Sequence, residues 1–118
     1  MTLENFRAYC LSKKAVTEEF PFDEETLVYK VMGKMFALAN SIDFSSINLK
    51  CDPEKATELR EHYDAVKPGY HMNKKHWNTV LLDSSVPNKL IRQWIDDSYD
   101  LVVKGLTKKE KQALEDWD

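Results

Sequence analysis

Glycine, proline and cysteine are all scarce in this chain: its 118 residues hold 3 Gly, 4 Pro and 2 Cys. Glycines spread at positions 33, 69 and 105 cannot build a Gly-rich phosphate cradle, and neither GxxxxGK[ST] nor GxGxxG occurs. GxSxG and HExxH are also missing, so no standard catalytic signature is present and the expectation is a protein that is not an enzyme. So few Pro and Gly leave little room for linkers or low-complexity tails. Cys10 and Cys51 form no CxxC motif and no disulfide framework, which suits reduced thiols in a cytoplasmic protein. No run approaches the ~20 apolar residues that a membrane helix needs. The first residues, MTLENFRAYCLSKK, are polar where a signal peptide needs an apolar stretch. The sequence therefore predicts no membrane association.

What remains is an ordinary globular composition, 42% hydrophobic and 31% charged. The length suits a single domain over 1–118, able to bury roughly two-thirds of its unfolded surface without metal or disulfide staples. The net charge of −3 hides a strong polarity. Ala65 to Leu82 contain Lys67, Lys74 and Lys75 and no acid. Ala15 to Tyr29 contain Glu18, Glu19, Asp23, Glu24 and Glu25 and no base. A protein that coats nucleic acid is normally basic throughout, so any anion site here is local.

The apolar periodicities give an order of elements. Thr2 caps a first helix with Leu3, Phe6 and Cys10 at helical spacing. Ala15 to Glu25 reads as a connection around Phe20-Pro21-Phe22. Leu27–Met32 and Met35–Ala39 read as a hairpin turning on Gly33-Lys34. Ser46 to Cys51 alternate, with Ile47, Leu49 and Cys51 on one face. Asp52-Pro53 starts a helix carrying Ala56, Leu59 and Tyr63 inward, and Lys67-Pro68-Gly69-Tyr70 breaks it. Trp77 to Asp83 reads as a strand approached by Asn73 to His76. Pro87 opens the longest helix, whose stripe is Leu90, Ile91, Trp94, Ile95, Ser98, Leu101 and Val102. Gly105 suits its end, and Thr107 with Glu110 forms a capping box for a last helix. Hairpin strands among helices predict an α+β domain with a mostly antiparallel sheet.

Chemistry-bearing residues concentrate in one segment. Lys67, Tyr70, His71, Asn73, Lys74, Lys75 and His76 combine point charges, hydrogen-bond donors and a stacking ring without one carboxylate, a set suited to phosphate contact. Lys34 and Lys50 are positioned to extend that patch. Trp77 reads as core, anchoring the sheet against the long helix. His62, His71 and an acid lack metal-ligand spacing, so no metal or cofactor is expected. The cysteines read as buried structural thiols.

The run Met72-Asn73-Lys74-Lys75-His76-Trp77-Asn78-Thr79-Val80 resembles the signature of the MmcQ/YjbR-like family, in which Asn-Lys-x-His-Trp opens a strand. Glu19-Phe20-Pro21-Phe22, Gly33-Lys34-Met35-Phe36-Ala37, Lys67-Pro68-Gly69-Tyr70-His71 and Ser98-Tyr99 resemble further family segments in the same order. Lys14-Ala15-Val16 stands where many members have Lys-Pro-Gly, and Asp83-Ser84 where many turn on Asp-Gly. The resemblance implies a frataxin/CyaY-like architecture, with helices on one face of an antiparallel sheet, and a DNA-binding role of the "double wing" type. Glu4 is the only acid between Met1 and Val16, which argues against frataxin-like iron binding along the first helix. The functional expectation is a monomeric DNA-binding module that contacts phosphates through Lys67 to His76. The alternatives are a small-anion pocket, where His71, His76, Lys74, Ser98 and Tyr99 converge, and a protein-interaction adaptor steered by the acidic Glu18–Glu25 stretch.

Overall fold

The computed structural model describes residues 1–70 and 72–117. Along the chain run α1 (Leu3–Leu11), β1 (Val16–Glu19), β2 (Thr26–Val31), β3 (Lys34–Asn40), β4 (Ser46–Lys50), α2 (Pro53–His62), β5 (Val66–Pro68), β6 (Trp77–Leu81), α3 (Asn88–Lys104) and α4 (Lys108–Glu115). The strands form one six-stranded sheet in the order β1-β2-β3-β4-β6-β5, and every neighbouring pair is antiparallel. The fold class is α+β, as the periodicities predict. No helix among the described residues is long and apolar enough to cross a membrane.

Two expected connections are strands. Val16–Glu19 pairs with Val28–Val31 and forms one edge of the sheet. Val66–Pro68 pairs with Asn78–Val80 and forms the other. Neither carries a strand-like apolar alternation; pairing with an inner strand holds each in place. The hairpin turn also sits one residue earlier than the expected Gly33-Lys34. Met32 (φ +49) and Gly33 (φ +80) are its central residues, both left-handed as a type I′ turn requires.

The main core lies between the sheet and the helices. Tyr29, Phe36, Ile47, Leu49 and Val80 meet Phe6 and Cys10 of α1 and Ile91, Trp94, Ile95 and Val102 of α3. Burial pushes the Cys10 thiol up to about 12, which marks it as an inert core residue. At the rim of this core Glu18 accepts from Arg7 (2.8 and 2.9 Å) and from the Tyr29 hydroxyl (2.6 Å). The Arg7 bond, helped by Tyr29, holds the Glu18 carboxyl below the usual carboxylate range.

β3 departs from simple alternation. Tyr29 pairs with Ala37 and Lys30 with Met35, so Phe36 is an extra residue in a bulge. Phe36 and Ala37 thus both face the helices, while Met35 faces the other side. Ser98 secures the bulge. Its hydroxyl donates to the Phe36 carbonyl (2.5 Å) and accepts from the Lys50 amide (2.9 Å), bolting α3 to β3 and β4.

The Asp83-Ser84 turn has a measurable consequence. Ser84 sits at φ +71 and is exposed, in a region that costs a non-glycine residue roughly 1–2 kcal/mol. Ser84→Gly should therefore raise stability by roughly 0.5–1 kcal/mol after the glycine's extra unfolded-state entropy is deducted. Urea unfolding measures this, and an unchanged or lower midpoint would show that the turn is not strained.

Candidate functional site

The face of the sheet away from the helices, called the open face because no helix among the described residues packs on it, has Val28, Leu38, Thr79 and Trp77 buried on it, and the pairing register defines its composition. Glu19, Val28, Leu38, Asn48, Thr79 and Lys67 form one cross-strand row spanning all six strands, from a carboxylate to an ammonium. Lys50 and Trp77 are opposite each other on the same face. Trp77 is only 7% exposed. Its neighbours are Val28, Leu38, Met35 and Met72, a second apolar cluster separate from the helix-packed core. The expectation that Trp77 anchors the sheet against the long helix is therefore corrected. It shares parity with Thr79, whereas Asn78 and Val80 point to the helices.

The segment joining β5 to β6 frames this face. Asn73 folds it into a turn: its side-chain oxygen accepts from the Lys75 amide (2.9 Å) and its carbonyl accepts from the His76 and Trp77 amides (3.1 and 3.0 Å). His76 is half-buried, and its carbonyl accepts from the Cys51 amide (2.8 Å), which ties the turn to the end of β4. Burial raises the Cys51 thiol above its ordinary value. Arg60 of α2 braces the turn from behind. Its Nε donates to Asn78 Oδ1 (2.7 Å), and its Nη2 donates to the carbonyls of Trp77 (3.2 Å) and Lys74.

On this braced frame Lys67, Lys74, Lys75 and Tyr70 are exposed. The Lys74 ammonium donates to the Gly69 carbonyl (3.3 Å). Among the described residues the ion pairs are Arg7–Glu18, Lys13–Asp96 and Lys30–Glu19, so the three segment lysines have no carboxylate partner there. Lys34 lies apart from them: it pairs with Val31 on the helix face and acts on Glu110 of α4. His71 lies outside the described residues. Ser98 is held in the bulge, and the Tyr99 hydroxyl donates to the Lys14 carbonyl (2.7 Å) beside Phe36. Among the described residues no three His, Cys, Asp or Glu side chains are grouped to hold a metal ion.

The open face also contains a cleft of about 440 Å³, bounded by Phe22, Leu38, Asn40, Asn48, Tyr70 and Met72. A smaller cavity of about 160 Å³ lies on the helix side, near Leu59 and Trp94, and includes no residue of the Lys67–His76 segment. The contributions of Arg60, Asn48 and Phe22 are missed by sequence reasoning. Arg60 reads as a solvated helix residue, and nothing in sequence links it to a turn 14 residues on. Asn48, on the wet face of an alternating strand, is the one that pattern alone marks as available.

A model of the YjbR family matches residues 11–101. The chain is 43% identical over 96 residues to the uncharacterized protein YbdF of Escherichia coli O157:H7, covering 80% of this chain and 79% of that one. It is 32% identical over 115 residues to the uncharacterized protein YjbR of Escherichia coli K12, covering 97% and 98%. The crystal structure of Deinococcus radiodurans protein DR2400, of domain family DUF419, superposes with a TM-score of 0.89 at 44% identity, covering 97% of this chain and 88% of that one.

Proposed function

Since the chain belongs to the YjbR family, and the relatives named above are uncharacterized, its role is read from its own surface, and we propose a small nucleic-acid-binding module. Lys67, Lys74 and Lys75 neutralise phosphates, while Asn73 and His76 shape and support the turn that presents them. The observation that carries this reading is a turn, fixed by Arg60 and Asn73, whose segment combines three exposed lysines with no carboxylate of its own. Lys67, Lys74 and Lys75 are exposed, and the sequence from Ala65 to Leu82 that carries them contains no Asp or Glu. A braced turn keeps the cations in position before a phosphate arrives, which reduces the ordering cost of binding. With a net charge of −3 the chain as a whole does not attract a polyanion, so the attraction is local.

Fluorescence anisotropy with labelled DNA at two salt concentrations tests the proposal. Binding should weaken steeply with salt, by about one log-log slope unit per phosphate contact. Lys74→Glu with Lys75→Glu should lower low-salt affinity at least about tenfold and flatten the slope by about two units. DNA affinity that the double variant leaves unchanged would refute the site. An absence of binding at low salt would refute the function.

A further inference from the structure

We infer that the open-face cleft holds one unpaired base of a single-stranded nucleic acid, with the strand's phosphates directed to Lys67, Lys74 and Lys75. This rests on the phosphate-binding reading above and specifies the form of nucleic acid that it takes. The cleft's volume of about 440 Å³ falls in the range of small-ligand sites, roughly 300–1,000 Å³. Phe22 and Tyr70, 63% and 62% exposed, both line it. Two large rings held largely in water on one cleft gain little from folding and are placed to stack on a planar ligand. Met72, half-buried, supplies an apolar, polarisable surface beside them, with the buried Leu38 beneath.

The polar lining favours a base over other planar ligands. The Tyr70 amide donates to Thr79 Oγ1 (3.1 Å), and that hydroxyl donates to Asn48 Oδ1 (2.6 Å). The relay runs across the sheet from the segment to β4 and commits the Asn48 carbonyl oxygen. Among the described residues the Asn48 Nδ2 hydrogens have no acceptor, which makes them a donor pair in the cleft lining matched to the ring nitrogen and carbonyl acceptors of a base edge. Asp23 also lines the cleft, where it accepts from the Glu25 and Thr26 amides (2.9 and 2.6 Å). Its charge opposes an anionic group inside the cleft. The neutral ring therefore enters, and the phosphate stays on the lysine side. A base within a duplex has its faces covered by stacking, so only an unpaired base fits this arrangement.

The test uses anisotropy with three labelled probes: a short oligothymidylate, the same strand made of abasic nucleotides, and a duplex of equal length. The oligothymidylate should bind about tenfold more tightly than the abasic strand, the scale of one stacked base. Tyr70→Ala should remove that advantage while leaving abasic binding unchanged. Phe22→Ala, at another exposed position, should act in the same direction. Lys74→Glu with Lys75→Glu should weaken both strands alike. Equal binding of the abasic strand, equal binding of the duplex, or a Tyr70→Ala loss shared by both strands would overturn the base site while leaving the phosphate reading intact. Failure of all three probes to bind at low salt would overturn both.

Discussion

Trp77→Ala should cost about 3–5 kcal/mol, the usual range for truncating a buried Trp or Phe. Against a stability of about 5–15 kcal/mol for a domain this size, that is a large share. The open face has no helix above it, so the side chain of Trp77 is what Val28, Leu38, Met35 and Met72 pack around. Gly69 is tied to the same position: a Cβ on this glycine would stand 2.9 Å from Trp77 Cβ, so the segment backbone runs close against β6 there. Urea unfolding measures the loss. Hydrogen exchange should show the Gly69 and Tyr70 amides losing protection in the variant, because they donate to the Trp77 carbonyl and Thr79 hydroxyl. A loss below about 1 kcal/mol would mean that the second cluster is a surface patch and not a core.

Ser98→Ala should cost about 2–5 kcal/mol. The substitution is small in volume, and Ser98 is fully buried, so the effect is one of polarity. It leaves the Phe36 carbonyl and the Lys50 amide without the partner that each has in the fold. A buried backbone group left unpaired costs roughly 1–3 kcal/mol. The neighbouring Tyr99→Phe is the control. It removes an exposed bond to the Lys14 carbonyl and should cost only about 0.5–1.5 kcal/mol. Chemical denaturation of both variants decides the matter. If the two losses are equal, the bulge does not depend on Ser98.

The elements that could be read from sequence are those with strong local signals. The α3 stripe from Ile91 to Val102, the Asp52-Pro53 start and the Thr107–Glu110 capping box all match the structure. Each is determined within one or two turns of its own residues. β1 and β5 were not readable because Val-Thr-Glu-Glu and Val-Lys-Pro become strands only through pairing with β2 and β6. The bulge at Phe36 depends on a serine 62 residues away. The face that Trp77 occupies has the same cause: alternation separates the two sides of a strand but does not say which side the helices cover. For the candidate site, the acid-free lysine segment was visible as a composition. The brace from Arg60, the Asn48 relay and the approach of Phe22 are products of tertiary folding.

The sheet's two ends also matter beyond this chain. Its outermost strands are β1, four residues long with Glu18 and Glu19, and β5, three residues long and ending on Pro68. Unpaired strand edges recruit further strands, from a second copy or from an unfolding neighbour. Brevity, charge and a proline with no amide to offer leave little length on which an extra strand can be laid. These margins limit lateral growth of the sheet, so the open face can remain accessible without the molecule polymerising through its edges.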